Sequence, residues 1–187
     1  MGMRKTIIIV GVCLLVITAA AVTAWSWRPH RQPVLNLQHL MKIQSPAFAA
    51  GSAIPSEHTC DGEDVSPPLF IDDLPEGTES LVLVVDDPDA PMGTWVHWTV
   101  WNISPEVGEV AEGEVPAEGI EGITSFGRAG YGGPCPPSGE HRYFFRLYAL
   151  DTLLDLAGSA DIGELEAAME GHVLDSAETM GVYSRGQ

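Results

Sequence analysis

The sequence predicts a β-rich domain, all-β to α+β, and three observations carry that prediction. Three segments, "SLVLVV" at 80–85, "WVHWTVWNI" at 95–103 and "RYFFRLYAL" at 142–150, combine β-branched and aromatic residues and are apolar on both faces. That is the pattern of strands at central positions in a sheet. From Ser45 onward, short apolar runs are separated by Gly, Pro and Asp, which punctuate strands rather than helices. Clear helical periodicity is confined to one segment near the C-terminus.

Taken in order, the chain opens with Arg4 and Lys5, an apolar run from Ile7 to Ala24, and then Trp25 and Trp27. Those 18 residues lie at the lower limit for spanning a bilayer, and Val22-Thr23-Ala24 is a small-residue pattern that a signal peptidase accepts. Residues 1–24 are therefore expected to be a signal peptide or a retained membrane anchor. Basic residues on the near side of the run place the rest of the chain outside the cytoplasm in either case. The domain is thus expected to be periplasmic, secreted or tethered to the outer face of the cytoplasmic membrane.

Residues 25–44, with Pro, Gln and basic side chains, read as a linker, and residues 45–187 as one domain of a size that a single core supports. Within it, the Gly- and Glu-rich stretch 104–124 reads as a long surface connection. A short acidic helix is expected before Gly158. The main helix starts at Asp161, whose carboxylate can cap it with Glu164 three residues on; Ile162, Leu165, Met169, Val173 and Leu174 supply its apolar face.

The formal charge is −17 and becomes −19 without residues 1–24. A surface that acidic repels phosphate backbones, which argues against nucleic acid as a partner. Membrane contact is expected through the N-terminal segment alone. Cys13 falls in the apolar run, leaving Cys60 and Cys135 in the exported part, where they can form one disulfide or remain two free thiols.

Chemistry-bearing residues cluster in two stretches. Asp86-Asp87-Pro88-Asp89-Ala90-Pro91 follows the first strong strand, and clustered carboxylates are costly to bury, so the plain reading is a polar turn. His97 lies in the next strand, where simple alternation puts it on a face with Trp95, Thr99 and Trp101. In the second stretch, Gly132-Gly133-Pro134-Cys135-Pro136-Pro137 makes a stiff loop, and His141 and Tyr143, two apart, share a strand face with Phe145 while Arg142 points opposite. Two histidines, acids and free amides are the parts of a small polar pocket. His58 reads as a loop residue, and His172 as a residue at the end of the C-terminal helix.

"TCDGEDVSPPL" at 59–69, "DDPDAP" at 86–91, "HW" at 97–98 and "GYGGPCPPSGEHRYFFRLYALD" at 130–151, in that order, resemble the phosphatidylethanolamine-binding protein family. Its bacterial and archaeal branch is described as Raf kinase inhibitor-like (YbhB/YbcL type). The resemblance implies a two-sheet fold with a central antiparallel sheet, a few peripheral helices and an anion pocket at one end of that sheet. Carried over by position, the pocket would be Asp87, Asp89, Pro91, His97, His141 and Tyr143, with the backbone at Cys135 offering an amide to a phosphate group. Cys60 and Cys135 both lie in these motifs and are expected to be bridged.

The function so implied is a non-enzymatic binding or inhibitor-like protein without a cofactor or metal. It would take a small phosphorylated or anionic ligand, or a protein partner such as a protease or a kinase-like target. Two alternatives stand beside it: a metal-assisted hydrolase using the His/Asp cluster, and a structural domain with a vestigial pocket. One departure from the animal proteins is the short interval "MGTWV" between Pro91 and His97, which bears on headgroup specificity.

Overall fold

A computed structural model describes residues 41–185. The export segment expected at 1–24 and most of the linker expected at 25–44 lie outside that range. Among the described residues no helix is long and apolar enough to cross a membrane.

In chain order the elements are β1 (Lys42–Gln44), a 3-10 turn (Ser56–His58), β2 (Leu69–Asp72), β3 (Ser80–Asp87), β4 (Trp95–Ile103), β5 (Glu109–Val110), β6 (Ile120–Glu121), β7 (Glu140–Leu150), α1 (Ile162–Met169) and β8 (Val173–Ser184). β1, β2 and β5 form a three-stranded sheet in the order β1-β2-β5, and the other five form a sheet in the order β6-β4-β3-β7-β8. Every neighbouring pair is antiparallel. The three strands expected from apolarity are the three central ones, β4, β3 and β7, as double-sided burial requires.

The main core lies between the sheets. Ile43, Leu69, Ile71 and Val110 of the small sheet meet Leu81, Leu83, Val85, Trp98, Val100, Phe145 and Leu147 of the large one. On the other face of the large sheet, Val82, Val84 and Trp101 pack under Leu165 and Met169 of α1. Burying side chains of this size contributes roughly 1.5–3 kcal/mol each. The predicted capping box closes α1: Asp161 Oδ1 accepts from the Glu164 amide at 3.0 Å, and Glu164 Oε2 accepts from the Asp161 amide at 3.1 Å.

Several expectations are corrected. The linker gives way at its end to β1, which pairs Lys42–Gln44 with Phe70–Asp72, so the fold begins ahead of residue 45. The connection 104–124 carries two short strands, β5 and β6. The helix expected just before Gly158 does not form, since residues 151–158 are turn and irregular chain, and the peripheral helices reduce, among the described residues, to α1 and the 3-10 turn. Val173 and Leu174 leave the helix to start β8, where both are exposed. Gly171, with φ +82°, turns the chain there, and His172 Nδ1 pairs with the Asp151 carboxylate at 2.8 Å.

Candidate functional site: a cavity at the end of the large sheet

The end of β3 and the starts of β4 and β7 meet at one edge of the large sheet, where Asp86 pairs with Phe144 and Asp87 with Trp95. β3 continues through both aspartates, so Asp86 and Asp87 are buried strand residues and not a polar turn. Each is matched by a cation or a donor on its own face. Asp86 Oδ1 accepts from Arg146 Nε at 2.7 Å, and Asp87 Oδ2 accepts from His141 Nδ1 at 2.7 Å. Without such a partner a carboxylate buried this deeply would cost several kcal/mol.

His97 reaches the same face by a break in the pleat. Val85 pairs with Trp98 but Asp86 pairs with Val96, so β4 carries one extra residue there, and that residue is His97. A bulge re-aims a side chain that strict alternation would send elsewhere. Trp101 packs beneath α1, whereas the His97 ring sits edge-on to Tyr143 of the main core, with centroids 5.2 Å apart. The expectation that His97 shares a face with Thr99 and Trp101 is corrected by this bulge.

The Gly/Pro loop closes the site from the side. His97 Nδ1 donates to the Gly132 carbonyl at 2.6 Å, and the Gly133 amide donates to Asp64 Oδ1 at 2.6 Å. A Cβ at Gly133 would lie 2.5 Å from the His58 carbonyl oxygen, so backbone excludes a side chain there, and one at Gly132 would lie 2.5 Å from the Phe126 ring and would have to displace it. The Cys60 amide donates to the Pro134 carbonyl, and Cys60 and Cys135 are joined in a disulfide with Cα atoms 5.4 Å apart. The loop is thereby tied to the 58–64 segment through backbone, side chain and covalent bond.

These elements enclose a cavity of about 430 Å³. Ala90, Pro91, Met92, Trp95, Phe126 and Pro137 supply apolar wall, while Asp87, His97, His141 and Tyr143 are its polar residues, beside Cys135. Burial holds His97 below the usual imidazole range, more than the Gly132 carbonyl and the Asp87 and Asp86 charges raise it. With Nδ1 donating to Gly132, the neutral ring keeps a lone pair on Nε2. Burial also pushes the Tyr143 phenol well up, opposed in part by the Cys135 amide, so it stays a neutral O–H. That hydroxyl is buried and lacks a partner in good hydrogen-bond geometry. The site thus brings one hydroxyl and two imidazole rings to a small volume.

The family of phosphatidylethanolamine-binding proteins matches the chain over residues 44–184. The chain belongs to this family. It is 49% identical over 151 residues to a UPF0098 protein of Methanothermobacter thermautotrophicus, covering 78% of this chain and 100% of that one. A Pyrococcus horikoshii relative, UPF0098 protein PH1269, is 50% identical over 155 residues, covering 78% and 77% of the two chains. Among solved structures, the phosphatidylethanolamine-binding protein homologue CT736 of Chlamydia trachomatis superposes with TM-score 0.77 at 41% identity, over 79% of this chain and 99% of that one. Escherichia coli YbcL, a member of the mammalian family by its description, gives TM-score 0.74 at 30% identity, over 78% and 99%. The two antiparallel sheets are those of the family fold.

Of the family positions named from sequence, Asp87, Pro91, His97, Cys135, His141 and Tyr143 line the cavity. Asp89 does not. Its carboxylate takes Arg142 Nε at 2.8 Å, Arg142 Nη2 at 2.7 Å and the Arg142 amide at 3.0 Å. The guanidinium holds the Asp89 carboxyl down at about 2. Asp89 therefore pins the turn after β3 to β7 from outside the cavity wall. Sequence reasoning missed Phe126, which comes from a distant loop and touches both Trp95 and His97 edge-on at 5.5 Å. It also missed Met92, 95% exposed at the mouth within the short interval. No local pattern marks either residue. Among the described residues, a set of three metal-ligand side chains with mutually close ligand atoms occurs away from this cavity, at Glu57, His58 and Glu112.

Proposed function

We propose that the protein is an exported, non-enzymatic binding protein whose cavity takes a small anion, phosphate or a phosphorylated headgroup, either free or presented by a partner. The observation that supports this most directly is the buried Tyr143 hydroxyl, without a partner in good hydrogen-bond geometry, beside His97, His141 and Asp87 in a cavity with mostly apolar walls. Buried polar atoms are ordinarily satisfied, and a ligand oxygen would satisfy this one. With the surface at net −17, attraction at long range works against an anion, so short-range donors must hold it. His141 donates Nδ1–H to Asp87, so its Nε2 donates to a ligand oxygen in the imidazolium form and accepts from a ligand O–H or N–H in the neutral form. Neutral His97, with Nε2 as an acceptor, suits a ligand that also carries an O–H or N–H donor, such as a phosphate monoanion or an ethanolamine ammonium.

Family membership supports a binding role rather than catalysis. The metal-assisted hydrolase reading is not favoured by the geometry, because among the described residues the side chains that bring three metal-ligand atoms close together are Glu57, His58 and Glu112, outside the cavity lining. Export is read from residues 1–24, and an exported domain would meet an envelope or extracellular protein, a protease above a kinase.

The test is an NMR titration of histidine ring signals in residues 28–187 with phosphate, phosphoethanolamine and acetate. Saturable shifts at His97 and His141 with the phosphorylated ligands, abolished in His97→Ala and in His141→Ala, are expected. No shift at millimolar phosphate or phosphoethanolamine would overturn the small-anion reading and leave a vestigial pocket or a protein partner.

A further inference from the structure

His58 is fully buried, and the way it is held has no purpose in the cavity just described. Its Nδ1 lies 3.2 Å from the Val65 carbonyl, so Nδ1 carries the proton and donates it. That leaves a lone pair on Nε2, which is buried and has no hydrogen-bond partner. Facing it are two carboxylates, Glu57 Oε1 at 3.5 Å and Glu112 Oε2 at 3.9 Å, both on side chains more than half exposed. A lone pair aimed at two anions is repulsive unless a cation lies between them.

The distances say which kind of cation fits. A charge-assisted N–H···O hydrogen bond would draw nitrogen and oxygen to about 2.7–2.9 Å. Ligands held at about 2.0–2.2 Å from a tetrahedral zinc ion are instead separated by about 3.4 Å. The observed pairs fit the second spacing far better than the first. A metal-binding histidine also characteristically donates its other ring N–H to a carbonyl, which fixes the tautomer, and the Val65 carbonyl does this here. The three ligand atoms lie within 4.8 Å of one another.

We infer that Glu57, His58 and Glu112 form a site for a divalent transition metal, zinc first, with at least one coordination position left to water. Imidazole with two carboxylates suits zinc and its neighbours rather than calcium or magnesium, which prefer all-oxygen shells. The site is a clamp. It joins the 3-10 turn Ser56–His58 to the segment after β5, on the chain that carries Cys60. The His58 carbonyl accepts from the Tyr131 hydroxyl at 2.9 Å, so the clamp also backs the loop that rims the cavity.

The experiment titrates zinc chloride into the full chain, held in mild detergent and stripped with a chelator, using calorimetry, thermal melting and nitrogen-15 NMR of the histidine rings. One equivalent of zinc is expected to bind at micromolar concentration or tighter, to move the Nε2 resonance of His58, and to raise Tm by about 5 °C at saturation. Affinity should drop at least tenfold in His58→Gln and in Glu112→Gln, the second being a surface change that does not threaten folding. Magnesium at the same concentration should not compete. Absence of stoichiometric zinc binding at 100-fold excess over protein, taken here as about 1 mM, would overturn the site. So would zinc binding unchanged in Glu112→Gln or displaced by equal magnesium, since either marks diffuse attraction to an acidic surface.

Discussion

His97 is the residue whose environment makes the sharpest prediction. Burial holds its pKa below the ordinary 6.5, so the folded protein resists a proton that the unfolded chain accepts. Between 6.5 and the lower folded value the unfolded state binds more protons, and stability must fall as pH falls through that window. Urea unfolding measured from pH 7.5 down to pH 5 should show this loss in the wild type. In His97→Gln, which can still donate to the Gly132 carbonyl, the slope should be smaller; equal slopes in the two proteins would mean that burial does not hold His97 neutral. Asp89 acts with the same sign in a lower window. Its folded pKa of about 2 lies below the usual 3.8, so its contribution is present above 3.8 and disappears only as pH approaches 2, outside the His97 window.

At the scale of elements, α1 has only eight residues, fewer than an isolated helix needs to be stable in water. Two things hold it: burial of Leu165 and Met169 on the outer face of the large sheet, and the reciprocal Asp161–Glu164 cap. Asp161→Ala should therefore cost about 1 kcal/mol in global unfolding, and Asp161→Asn much less. An alanine variant as stable as the wild type would show that packing alone specifies the helix start. β8 is legible only through its partner. Its first half is exposed and carries Asp175, Ser176 and Glu178, the composition of an edge strand, and its pairing with β7 is what makes it a strand.

For the whole molecule, the Cys60–Cys135 bridge spans a sequence separation of 75 and joins the segment between β1 and β2 to the loop ahead of β7. Constraining an unfolded chain over a loop that long is worth about 4 kcal/mol by chain entropy. The double variant Cys60→Ser/Cys135→Ser should lose stability of that order and unfold at lower urea, without change in its β-rich circular dichroism spectrum. An unchanged midpoint would mean that the surrounding hydrogen bonds from Cys60, Gly133 and Tyr131 already fix the loop. Cys135 is exposed in the folded protein, so reductant has access to the bridge and gives an independent route to the same measurement.

Legible in the chain alone were the β-rich class, the three central strands, the capped helix and six of the seven positions named for the cavity. Each of those is written in local pattern: apolarity on both faces, a capping pair three residues apart, or motif residues that resemble a known family. Whatever depends on register between distant segments was settled by the tertiary fold. There the bulge opposite Val85 and Asp86 turns His97 towards Tyr143, Arg142 takes Asp89 away from the cavity, and Phe126 closes its wall. The fold also brings Glu112 to His58 across 54 positions of sequence, where the short ligand spacing that marks metal sites in a chain is absent. Pairing energies between residues far apart are set by how sheets stack and loops return, and no window of the chain contains both partners.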